Sequence, residues 1–324
     1  MSLTKYPNGI SVYGVPVVPS ASPDVVTGEV FYVGATAATG GKWLAGVDDP
    51  SCGSFQQPFA TIDYAIGKCT ASRGDVIYVL PGHTESVAAA GGIACDIAGI
   101  SIIGLGKGTT RPTITLATAA TASVTVSAAD ITLKNLIFVA NLDNMATCFT
   151  VSAKDCTIDN CEFRDTSDAL HFLSCILTNT TNNGADGLTV TNCKRFGLAA
   201  ASTAFVSILA NEDRVTLNNN LYVGAGATGN VGHFLIMADK VVTNAEIAYN
   251  KLILPAASSV SVGTFMTGSA TTMTGVVHNN YVASIDTTAA LFCTATMTFG
   301  MFENYQTGVL ANSGLIWPAA DTPS

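Results

Sequence analysis

Apolar and polar residues alternate along most of the chain in short runs, each closed by Gly, Asn, Asp or Pro. An alternation with period two is the signature of a half-buried strand. One stretch departs from it. In Pro58 to Cys69 the apolar residues Phe59, Ile62, Ala65, Ile66 and Cys69 return at helical spacing, which predicts a helix over 58–69. Glu29-Val30-Phe31-Tyr32-Val33 reads as a strand before it. Gly74-Asp75 turns into Val76-Ile77-Tyr78-Val79-Leu80 after it, and Pro81-Gly82 closes that strand.

The runs repeat. Ile131-Thr132-Leu133-Lys134-Asn135, Cys156-Thr157-Ile158-Asp159-Asn160, Leu188-Thr189-Val190-Thr191-Asn192 and Val215-Thr216-Leu217-Asn218-Asn219 are copies of one pattern. Later copies carry the asparagine one place on, at Asn250, Asn280 and Asn304. Successive marker asparagines lie 25, 32, 27, 31, 30 and 24 residues apart. That period fits one coil of a parallel β-solenoid with two or three short strands per turn. Stacked coils place like residues over like, so Val, Ile, Leu and Cys fill the lumen. Asparagines at the corners hydrogen-bond along the axis where the backbone leaves the strand. About nine or ten coils at ~4.8 Å give a rod roughly 45–50 Å long. A β-sandwich explains the alternation but not the returning asparagine.

Four segments follow. Residues 1–28 form an extended arm, 29–73 the first strand and capping helix, 74–314 the β-helix, and 315–324 a tail. Proline keeps the arm out of helices and central strands. Its apolar teeth and turn residues (Tyr6, Pro7, Asn8, Ile10, Val12, Tyr13, Val15, Val17) cannot form a core alone. They call for a partner surface, so the arm is expected to anchor the protein.

The residues from Phe31-Tyr32-Val33 through Pro58-Phe59-Ala60-Thr61-Ile62 and Gly74-Asp75-Val76-Ile77-Tyr78-Val79-Leu80-Pro81-Gly82, with Glu85, resemble the opening of right-handed parallel β-helix proteins of the pectate-lyase-like superfamily. The resemblance covers residues 29–117 best and implies an all-β, right-handed parallel β-helix whose short N-terminal helix caps the first coil. The superfamily holds lyases, hydrolases, tailspikes and non-enzymatic virion parts, so the likeness speaks to fold more than to activity. The arm, from Tyr6-Pro7-Asn8-Gly9-Ile10 to Gly14-Val15-Pro16-Val17, is similar to the start of some tailed-phage structural proteins.

Charge narrows the functions. Among 324 residues, 14 basic and 23 acidic side chains leave a net charge of −9, and only 11% of residues are charged. No basic run suits nucleic acid, and no stretch supplies the roughly 20 apolar residues of a spanning helix. The opening lacks the apolar core of a secretory signal. The nine cysteines form no CxxC pair and read as small buried hydrophobes. The four histidines are widely spaced, so neither a metal nor another cofactor is expected.

The densest polar patch runs from Asp155 to His171 and offers Asp159, Glu162, Arg164 and Asp165 as the alternative catalytic set. Carbohydrate-cleaving β-helices work with such groups. Lys134 below and Lys194 and Arg195 above could equally tie the patch into a salt-bridged surface. The paired-Asp, Asn-Thr-Asp and Arg-x-Pro-x-x-Arg patterns of the family's enzymes are absent from the sequence. Residues 252–302 carry one formal charge, Asp286, which suits a flank covered by neighbours. The expectation is a virion-located, non-enzymatic phage protein: a homotrimeric capsid decoration or cement protein, partnered by the major capsid protein or another virion protein. The alternatives are a tailspike or tail fibre binding or cleaving surface polysaccharide, and a free polysaccharide lyase or glycoside hydrolase.

Overall fold

The computed structural model describes residues 28–37, 43–199, 201–225, 232–237, 239–254, 264–268, 273–284 and 300–307, and the backbone of 11–12, 15–16 and 314–316. The side chains of the arm, and Cys293, lie outside the described residues. Of residues 1–27 of the arm, only the antiparallel pairing of Ser11–Val12 with Val15–Pro16 is described.

The chain winds as a parallel β-helix with three walls. An 11-stranded sheet runs from Val30–Val33 to Gly300–Phe302. A 10-stranded sheet runs from Thr84–Val87 to the antiparallel closing strand Gly314–Ile316. A 7-stranded sheet runs from Ile93–Cys95 to Met266–Thr267. Crossovers between parallel strands of one sheet take the right-handed sense.

Register explains why these sequences form these walls. In the first sheet Ile77, Ile102, Leu133, Ile158, Val190 and Leu217 lie directly over one another, all facing the lumen and all buried. The outward neighbours Thr132, Thr157, Thr189 and Thr216 form a second column, half-buried and uncharged. A one-residue slip would exchange the two columns, so burial fixes the register. Phenylalanines stack inside the lumen in the same way. Phe234 and Phe265 lie 4.6 Å apart, nearly parallel.

The helix is shorter than the periodicity predicts, spanning Ile62–Ile66 rather than 58–69. Thr61 is the N-cap, its Oγ1 accepting the Tyr64 N–H, and Gly67 closes the far end. Phe59 is pulled out of the helix because it bridges Val33 in extended conformation. Ile62, Ala65 and Ile66 are buried over the first coil, which places the helix as its cap.

Candidate functional site

The charged patch is tied down group by group. Asp159 pairs with Lys134 at 2.8 Å and accepts from the Asn192 side chain at 2.7 Å. Burial raises its pKa, but the Asn192 and Lys134 bonds outweigh that and hold it below the usual carboxylate range. Glu162 sits between two guanidinium groups, Arg111 at 3.0 Å and Arg164 at 2.6 Å. Asp155, at a left-handed corner, faces Arg214 at 3.7 Å. Gly187 lies against that carboxylate: a Cβ there would meet Asp155 Oδ1 at 2.2 Å, and its φ of +75° suits glycine.

Two groups assigned to this surface by sequence are inside the wall. Strand alternation turns Glu162 and Arg164 outward and Asp165 inward. The same alternation places Arg195 in the lumen, in register with Phe163 below and Tyr222 above. Arg195 is 1% exposed. It donates to the Phe172 carbonyl at 2.9 Å, to Ser202 Oγ at 2.7 Å and to Cys175 Sγ, and lies over the Tyr222 ring. Asp165, 4.0 Å away, accepts the Phe172 and Leu198 N–H groups. The four candidate catalytic residues therefore do not share one face.

The asparagines also divide into two columns rather than one. Asn135, Asn160, Asn192 and Asn219 stand at an outer corner with left-handed backbone. Their side chains reach down the axis, Asn160 to Asn135 at 3.1 Å and Asn219 to Asn192 at 2.6 Å. Asn250, Asn280 and Asn304 occupy the next place along, facing inward and fully buried, above Asn220. In this inner ladder each Oδ1 accepts the backbone N–H of the coil below. Each Nδ2 donates to a carbonyl of that coil, as Asn250 does to Leu217 at 2.6 Å. The apparent shift of the repeat is a handover between columns. Leu136, Cys161 and Cys193 fill the inner slot in earlier coils.

Beside the outer column lies a groove of about 320 Å³, lined by Asn192, Lys194, Asn219, Leu221, Tyr249 and Lys251 among others. Lys194, Leu221 and Lys251 form an outward column of the second sheet, continued by Tyr281 and Tyr305. Sequence reading singled out Lys194 only as a neighbour of the charged patch and missed Tyr249 and Lys251. The signal was present in Asn218-Asn219-Asn220, where both slots hold asparagine at once and fix the alignment of later coils.

No family model matches the sequence, and no curated protein matches it. Among solved structures the chain is similar to a rhamnogalacturonan lyase, at 15% identity over 86% of this chain and 87% of that one, with a TM-score of 0.45. It is similar to the pectate lyase Pel9A at 13% identity, covering 88% of this chain and 78% of that one, with a TM-score of 0.41. A GH136 lacto-N-biosidase from Eubacterium ramulus matches at 10% identity, over 87% of this chain and 68% of that one, with a TM-score of 0.32.

Among the described residues no group of three or more His, Cys, Asp or Glu is arranged to hold a metal ion, and no helix is long and apolar enough to cross a membrane. The described cysteines are free thiols. Burial pushes the Cys156 thiol up to about 12, which keeps it protonated and unreactive.

One buried acid titrates near neutrality. Glu212 is 2% exposed; Oε2 accepts the Ala185 N–H at 2.9 Å, and Oε1 has no partner among the described residues. Burial, reinforced by Asp186, raises its pKa from 4.5 to about 7 against the opposing pull of the Ala185 N–H and Lys154. The folded chain then holds a proton that the unfolded chain has released. Stability from this site is full below about pH 4.5 and is lost as pH rises through about 7. Glu212→Gln should match the parent near pH 4.5 and exceed it at about pH 8 by on the order of 2–3 kcal/mol in urea unfolding.

Proposed function

We propose that this chain is a non-enzymatic structural protein of a tailed-phage particle, a homotrimeric capsid decoration protein held in place by its N-terminal arm. The observation that carries this reading is the state of the acids in the densest charged region. Asp159 is bonded to Lys134 and Asn192, Glu162 is clamped between Arg111 and Arg164, and Asp165 is turned into the wall. A general acid or base needs a carboxyl group within reach of a substrate proton and free to exchange it. These carboxylates instead cross-link neighbouring coils. The uncharged threonine column offers a flat flank suited to packing against a second and third copy. The proline-punctuated arm, with its apolar teeth, supplies a tether to neighbouring capsid subunits.

Deleting residues 2–20 should abolish attachment to particles of the phage that encodes the protein while leaving the β-helix folded. Circular dichroism and co-sedimentation with particles would check both. Unchanged attachment of the folded deletion variant would remove the arm from the account.

A further inference from the structure

The outer asparagine column gives way at two described corners, Tyr249 and Glu303, and the substitution at Tyr249 is costly. Left-handed backbone is tolerated by asparagine and is unfavourable for a bulky side chain. The corner holds Asn135, Asn160, Asn192 and Asn219, then Tyr249 at φ 58°, then Asn279, then Glu303, whose carboxylate accepts from the Asn279 side chain at 2.9 Å. Tyr249 gains no burial from the position, since it is 56% exposed. It also supplies no amide to the coil below: Asn219 donates to Asn192, and its own Oδ1 accepts from no described residue. A strained, exposed aromatic residue at a corner otherwise filled by small or polar side chains is the kind of outlier from which function is inferred.

Its surroundings specify a ligand. Tyr249 lines the groove together with Lys194 and Lys251, which stand two coils apart, roughly 10 Å, on one outward column. Neither lysine has an ion pair among the described residues, whereas Lys134 and Lys154 do. Asn192 and Asn219 add amide groups along the same wall. Beyond Tyr249 the aromatic track continues: His278 meets its ring edge-on at 5.4 Å and stacks on Phe302 at 4.6 Å. An aromatic platform for an apolar sugar face, amides for hydroxyls and spaced ammonium groups for acidic substituents together match an extended anionic glycan. Two lysines on a chain of net charge −9 are too few for nucleic acid, whose binding rests on releasing many counterions.

We propose that this corner groove binds an extended anionic glycan strand, with Tyr249 as the stacking platform and Lys194 and Lys251 as the acid-group contacts. The site is separate from the Asp159–Asp165 patch and does not depend on where the protein resides. The full chain is applied to a glycan array carrying carboxylated, sulfated, phosphorylated and neutral strands. One or more of the three acidic classes should be retained and neutral strands of the same length should not, the acidic arm identifying the substituent. Tyr249→Asn restores the corner residue, so it should raise Tm by about 2–3 °C while lowering retention at least tenfold. Tyr249→Phe keeps the ring and should keep retention. The double variant Lys194→Gln, Lys251→Gln should lose it with the fold unchanged. Retention of neutral strands equal to that of acidic ones, no retention of any acidic strand by the parent, or full retention by Tyr249→Asn would overturn the proposal.

Discussion

Replacing Arg195 with alanine should cost about 3–5 kcal/mol of stability, one of the two largest effects expected from a single substitution here. The reason lies in what remains. Asp165 is 7% exposed and loses its counter-charge, while the Phe172 carbonyl and Ser202 Oγ lose a buried donor. The vacated volume faces Phe163 on one side and Tyr222 on the other, so a cavity adds to the cost. Arg195→Lys should recover little of the loss. One ammonium on a flexible stem cannot reach Phe172 O, Ser202 and Cys175 together, nor lie flat over the Tyr222 ring. Urea unfolding of the three proteins checks both statements. A loss under about 1 kcal/mol for the alanine variant would mean that the buried charge is not paired as described.

The second large effect belongs to the inner asparagine ladder. Asn250→Ala removes an Oδ1 that accepts the Asn220 N–H at 2.9 Å and an Nδ2 that donates to the Leu217 carbonyl at 2.6 Å. Both partners are fully buried and find no water in exchange. Each orphaned group costs about 1–3 kcal/mol, which makes about 2–6 kcal/mol for the pair. Asn219→Ala offers the contrast. It stands on the exposed outer corner, and its single side-chain bond, to Asn192, is replaced by water. Its cost is about 1 kcal/mol or slightly more, mostly from placing alanine in left-handed backbone. Thermal or urea denaturation of the two variants side by side should show the inner substitution as clearly the more damaging. Equal losses would contradict the division into two columns.

That division marks the limit of what the sequence made legible. The alternating runs and the recurrent asparagine located the coils because burial on one face and left-handed corners each leave a residue-type trace. The same trace was ambiguous by one position after Asn219, because asparagine serves both as a left-handed corner residue and as a buried hydrogen-bonding rung. Tertiary pairing set the helix boundary: Phe59 has helical spacing to Ile62 and Ile66 but is held extended by its bridge to Val33. The candidate site was read less well for the same kind of reason. Lys194 and Arg195 are adjacent in sequence and identical in formal charge. Strand alternation sends one to the solvent and the other to the centre of the lumen. The groove at Tyr249 gathers Lys194, Leu221 and Lys251 from three successive coils, a grouping that becomes visible only once the register is fixed.

The central claim is that the carboxylates of the charged patch build the wall and do not catalyse. The most direct measurement incubates the full chain with a panel of acidic and neutral polysaccharides and follows new reducing ends together with unsaturated products. The account predicts no cleavage of any polysaccharide, including one that the protein binds. Cleavage that disappears in the double variant Asp159→Ala, Glu162→Ala would contradict it.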